Sequence, residues 1–309
     1  MSNRDQTTTR RQHHVWRSYL EAWATNGKIF CQQGAKIFNS NVINVAVERD
    51  FYKLPDLTNK DVLFIRDIMK DSPTSAKEVI ENFITMFGMF GRLRASLLKA
   101  GRKASLPSLE RAIIIGEESF HARIESGAKP ILDAIRRKDL SFYDDPDLCG
   151  KFAHFINLQN LRTKGVQERL FANTIEQDGI SLKRVWPVLR QAMAVNAGGR
   201  LLLERKIRPL ILLENETEIP FITADQPVIN LLGPHAGEPP RLVALYYPVT
   251  PQLAIIWDEV TERTGYAAGP VSADQALALN RTIRAKSFSQ VFGNSRNVLE
   301  SLCVEQPGA

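Results

Sequence analysis

Pro220-Phe221-Ile222-Thr223-Ala224-Asp225-Gln226-Pro227-Val228 reads as a short apolar strand that runs into a polar turn. Phe221 and Ile222 suit a pleated, half-buried surface. Pro227 has no N–H for a sheet ladder, so the strand ends before it or lies on an edge. Gln226, just ahead of that proline, is pushed toward extended geometry. Thr223 and Asp225 share a face if the strand persists that far. A hydroxyl and a carboxylate at the mouth of a sheet suit chemistry. The same residues also suit a plain turn in which Asp225 bonds its own backbone.

Outward from this strand the period of the apolar residues changes. Residues 75–99, 109–125, 131–138, 148–176 and 182–205 carry helical spacing, punctuated by Pro73, Gly101, Pro107, Gly127 and Pro146. Pro187 is expected in the first turn of its helix. Strands flank this block: 28–32 and 35–38 as a hairpin, 51–54, 209–213, 242–247 and 253–257, with a last apolar piece at 289–292. Residues 233–240 read as a loop, and 272–287 as a helix. Near the start, Val15, Tyr19, Ala22 and Trp23 recur at helical spacing, which predicts a short helix over 12–23 entered through His13 and His14.

The fold class is therefore α+β: one mixed or antiparallel sheet from N- and C-terminal strands, with a large helical block inserted. Residues 1–11 form an arm, and 12–309 a single domain with a helical subdomain at about 58–208.

A hydrophobic content of 44% with 24% charged residues is that of an ordinary globular chain. No apolar run is long enough for a membrane span, and the polar start lacks a secretory apolar core. Cys31, Cys149 and Cys303 lie far apart without a CxxC pair, which argues against a disulfide framework or a common zinc site. A reduced, cytoplasmic chain without a metal or other cofactor is expected. The net charge of +6 permits a polyanionic partner without requiring one.

No Walker loop, Rossmann glycine motif, GxSxG elbow, kinase set or zinc-deaminase signature is present. Gln159 and Arg162 sit three apart on one helical face, and Arg169 follows Arg162 by two turns. That stripe is either a solvated face or the wall of a site. Arg92, Arg94, Lys99, Arg102 and Lys103 gather near one helix end, and Arg136, Arg137 and Lys138 near another. Such cations complement helix C-termini and, on a shared face, would bind phosphates.

Four pieces together resemble the bacterial domain-of-unknown-function family 4238: Gln12-His13-His14-Val15 with Tyr19-Leu20, Gln159-Asn160-Leu161-Arg162-Thr163, Phe221 to Val228, and Tyr247-Pro248-Val249-Thr250-Pro251. Trp16 replaces the proline usual after Val15, and Ala224 replaces the serine usual before Asp225. The chain also resembles a phage-defence DNA glycosylase of this type, which implies excision of a modified cytosine, such as glucosylated hydroxymethylcytosine, from viral DNA. On that resemblance Asp225 would stabilise the oxocarbenium-like sugar or activate water, and His14 or His13 would assist the departing base. Gln159 and Asn157 would read the flipped base beside Thr223 and Arg162. Trp16, Tyr19 or Tyr247 would stack on it, and Arg169 and Lys164 would meet the DNA backbone. The competing readings are a nuclease or toxin-like defence effector acting on nucleic acid, and a non-enzymatic sensor of a ligand or partner.

Overall fold

The computed structural model describes residues 11–49, 54, 56–172, 179–233, 242–257 and 264–302. The expected arm, the core of the expected strand at 51–54, the expected loop at 233–240 and the end of the helix expected to reach 176 lie outside or largely outside them.

The chain begins with β1 (Arg11–His13) and the single turn α1 (Arg17–Leu20), then the hairpin β2 (Lys28–Gln33) and β3 (Lys36–Asn41), then β4 (Val47–Arg49). Asn26 and Gly27 both have positive φ, at 51° and 72°, the conformation a tight two-residue turn before β2 requires. The helices follow: α2 (Asn59–Ile68), α3 (Thr74–Lys99), α4 (Leu106–Arg136), α5 (Pro146–Leu161), α6 (Lys164–Ala172) and α7 (Leu182–Leu203). The chain then returns to strands: β5 (Leu210–Glu214), β6 (Thr223–Ala224), β7 (Ile229–Asn230), β8 (Leu245–Pro248), β9 (Leu253–Trp257) and β10 (Gly269–Pro270). It closes with α8 (Ala273–Lys286), β11 (Gln290–Gly293) and α9 (Arg296–Ser301).

The α+β class holds, with a large helical block between early and late strands. The single expected sheet is instead several small ones. β3-β2-β11-β6 is antiparallel and does join the two ends of the chain. β10-β5-β9-β8-β7 is a second sheet, antiparallel except where β10 runs parallel to β5. β1 pairs with β4 alone. Loop closure between distant strands sets this division, and apolar alternation within a strand does not report it.

Three local expectations change. His13 ends a strand instead of opening a helix, because β1 finds β4 some 35 residues along the chain. The two helices expected over 109–138 are one, running through Pro130. The ring removes the amide that would reach Ser126, but Ser126 is exposed and water can take its carbonyl. The helix expected over 148–176 breaks between α5 and α6, and Pro187 lies in the second turn of α7 rather than the first.

Three apolar clusters hold these parts. One joins Val15, Trp16, Tyr19 and Trp23 to the C-terminal half of α4, to α5, and to β5, β8 and β9. A second fills the space between the two larger sheets and α8. A third lies within α2, α3, α4 and α7. At its edge Arg184 of α7 donates to Asp61 of α2 at 2.6 and 2.9 Å, while Asp61 also closes a capping box with Thr58. Among the described residues no helix is long and apolar enough to cross a membrane.

Candidate functional site

The motifs singled out in the sequence meet in space, chiefly to hold each other. Gln226 donates to the Asn160 side chain at 2.9 Å and to the Val228 carbonyl at 3.0 Å, and its own oxygen accepts from the Thr163 hydroxyl. The turn after β6 is thus bolted to the end of α5. Tyr19 shares a 2.6 Å hydrogen bond with Thr223, donates to the Pro248 carbonyl at 2.8 Å and stacks on Tyr247 with centroids 4.9 Å apart. Thr223, Tyr19 and Tyr247 are all buried, so neither ring offers a face to an incoming base.

Asp225 is 1% exposed and its carboxylate is fully engaged. Oδ1 accepts from the Phe288 amide at 2.8 Å. Oδ2 accepts from the Ser289 amide, the Ser289 hydroxyl and the Gln290 amide at 2.7, 2.9 and 2.9 Å. That geometry is an anchor for the chain entering β11. The carboxylate also helps burial push the nearby Cys31 thiol up to about 12. Asp225 lines none of the cavities described below.

His14 donates its backbone amide to Ala46 at 3.0 Å, and its imidazole is held neutral, with its pKa lowered to about 3. Burial is the main cause; the positive charges of Arg162 and Lys164 add to it. An imidazole so depressed is no proton source near neutrality. Gln159 and Asn157 point different ways. Asn157 donates to Ala153 at 2.8 Å and lines an apolar cavity beside α7, while Gln159 is completely buried and its side-chain amide has no hydrogen-bond partner among the described residues. Lys164 pairs with Glu48 at 2.7 Å, and exposed Arg169 lies in the field of Asp225.

Arg162 does reach a site. It is 1% exposed, donates to the His13 carbonyl at 2.6 Å and lies 4.6 Å over the Trp16 ring, which also stacks on Phe155 at 4.6 Å. In front of this stack runs a groove between the N-terminal segment and α4. It comprises two cavities of about 410 and 180 Å³ that share Trp16 and Glu125. The larger opens toward Lys129, Arg136 and Gln252; the smaller is walled by His13, Glu118, His121 and Arg162.

Glu125 lines both cavities, with Glu21 beside it in the larger and Glu118 in the smaller. It is half-buried, accepts from the Ser18 hydroxyl, and its pKa is raised. Burial is the largest cause and the charge of Glu21 adds to it, while the Ser18 bonds and Arg17 pull the other way. Behind the groove a buried polar layer continues. Glu117 lies 3.6 Å from His121 and 3.5 Å from Arg190, and the side-chain amide of Gln191 of α7, like that of Gln159, is completely buried without a hydrogen-bond partner among the described residues. Uncompensated amides in an interior are costly, so this layer marks a place built for polar contact.

Glu118, His121, Glu125 and Arg190 were missed in the sequence. The signal was there: Glu117, His121 and Glu125 recur every four residues, which puts carboxylate, imidazole and carboxylate on one side of a helix. Among the described residues no three His, Cys, Asp or Glu side chains are grouped to hold a metal ion.

An α+β chain whose N-terminal segment and longest helix enclose an acid-bearing groove is the class that fold and site define. The chain belongs to the family described as "Protein of unknown function (DUF4238)", whose model matches residues 11–186 and 186–297. No curated protein and no solved structure matches it.

Proposed function

We propose that this protein is a hydrolase of N-glycosyl bonds in DNA, acting in the cytoplasm on a modified cytosine of viral DNA, with Glu125 rather than Asp225 as its acid–base group. The observation that carries the reading is a carboxyl of raised pKa that lines two neighbouring cavities. Glycosidic cleavage needs a carboxyl group that stays protonated long enough to assist the leaving group, and burial moves Glu125 in that direction against the pull of its Ser18 bonds. The larger cavity, about 410 Å³, falls within the range of about 300–1,000 Å³ usual for small-molecule pockets, and so has room for a base carrying an added group. Lys129 and Arg136 at its rim would meet phosphates, and Arg162, fixed over Trp16, would orient the base edge.

The test incubates purified protein with ordinary DNA and with DNA containing glucosylated hydroxymethylcytosine, and identifies released bases and abasic sites by mass spectrometry. The expected result is excision from the modified DNA alone, reduced at least about 100-fold by Glu125→Gln. The rate should fall as pH rises through the raised pKa of Glu125, and that limb should be missing in Glu125→Gln. Full activity in Glu125→Gln would remove Glu125 from the mechanism.

A second reading, a non-enzymatic ligand sensor, is favoured by a separate cavity of about 940 Å³ between α2, α3 and α7, lined by Met69, Val79, Met193, Leu201 and Asn157. It expects binding without a released base.

A further inference from the structure

The basic residues near the α3–α4 turn form a projecting feature. Phe87 is the last buried residue of α3 and Leu109 the first of α4; no residue between them is buried. At 1.5 Å per residue, the last twelve residues of α3 extend about 18 Å beyond that point. The turn is closed by Gly101 at φ +70°. Residues 92–111 hold six basic residues and one acid, a net +5 in a chain whose total is +6. Arg94 is held by Asp56 and by Glu110, the latter at 2.6 Å. Arg92, Lys99, Arg102, Lys103 and Arg111 are exposed, and none has a carboxylate partner among the described residues.

We propose that this helical prong is a binding surface for the phosphate backbone of nucleic acid, which it grips without reading sequence. Cations placed on both helices and on the turn between them can face successive phosphates, and releasing the counterions of those phosphates drives binding. An anionic membrane is the other polyanion to consider. A helix that lies in a membrane surface needs its apolar residues on one side. Here Met89 and Leu93 share a side of α3, whereas Leu98 projects about 180° from Met89 at 3.6 residues per turn. The exposed apolar residues of α3 thus form no single stripe, while its exposed cations Arg92 and Lys99, seven residues apart, share one side.

The prong and the groove lie on one helix. Arg111 precedes Glu125 by fourteen residues, about 21 Å along α4. Assigning both to the same DNA rests on the function proposed above; the prong's affinity for phosphates does not.

The experiment measures fluorescence anisotropy of a labelled 20-base-pair duplex of ordinary DNA across a salt series, for the wild type, Lys99→Gln/Arg102→Gln/Lys103→Gln, and Glu125→Gln. All three prong positions are exposed, and an unchanged melting temperature confirms that the triple variant is folded. The expected result is at least tenfold weaker binding by the triple variant at 0.1 M salt, with a salt slope flattened by about 2 to 3 units. Glu125→Gln alters the groove and not the prong, so it should bind like the wild type. A wild type that binds this duplex through the prong yet releases no base from modified DNA would refute the chemistry alone. Equal binding by wild type and triple variant would overturn the prong proposal. So would binding to vesicles of anionic phospholipid with none to DNA.

Discussion

At the scale of single residues, Asp225 shows how a group can look catalytic and serve as an anchor. Its place in a proline-bounded turn after a strand suits either role, and only the partners distinguish them. All its donors come from residues 288–290, so the carboxylate fixes the segment that becomes the central strand β11. Asparagine would keep one acceptor and turn an amide toward main-chain N–H groups that need the other. Hydrogen bonds to charged groups contribute about 1.5–3 kcal/mol each, and an unsatisfied buried donor costs a similar amount. Asp225→Asn is therefore expected to lose about 2–4 kcal/mol of stability in urea unfolding. Wild-type stability in that variant would show that the anchor is dispensable and reopen a chemical role for Asp225.

At the scale of elements, α5 and α7 depend on one close approach. A Cβ on Gly198 would sit 3.1 Å from the Ala153 carbonyl carbon and 3.1 Å from the His154 nitrogen, both backbone atoms that cannot swing aside. Gly198→Ala should therefore push the helices apart and cost about 1–3 kcal/mol, read as a lower midpoint in urea, whereas Gly199→Ala, with open space at its Cβ, should be neutral or mildly stabilising. If both variants unfolded alike, the packing argument would fail. Much at this scale was legible beforehand. Apolar spacing located α3, α7 and α8 to within two residues at each end, because each buries one stripe against a core. The strand at 11–13 and the separation of the sheets were not legible, since each depends on pairing between distant segments. Of the groove proposed as the site, Gln12, His13, Trp16 and Arg162 come from motifs singled out in the sequence, whereas Glu125 lies on α4, whose Glu-His-Glu spacing drew no reading beforehand.

At the scale of the whole molecule, histidines closed inside the fold couple its stability to pH. His14 is lowered to about 3 by burial and by Arg162, Lys164 and His13; His154 is lowered to about 4 by burial and by His121. His121 is lowered by burial and by Arg190, with Glu117 opposing. Each stays neutral in the fold yet takes up a proton near pH 6.5 once the chain unfolds. The unfolded state therefore binds more protons below pH 6.5, and stability that is complete above that value declines as pH falls toward the folded pKa values. Between pH 7.5 and 5, where most carboxylates remain ionised, His14 and His154 should each remove on the order of 2 kcal/mol, with His121 acting in the same direction. Denaturant unfolding at a series of pH values should show this decline, and His154→Gln should make it shallower by the share of one proton. A flat profile between pH 7.5 and 5 would mean that these imidazoles titrate in the folded protein as they do in the unfolded chain, and that water reaches the layer behind the groove.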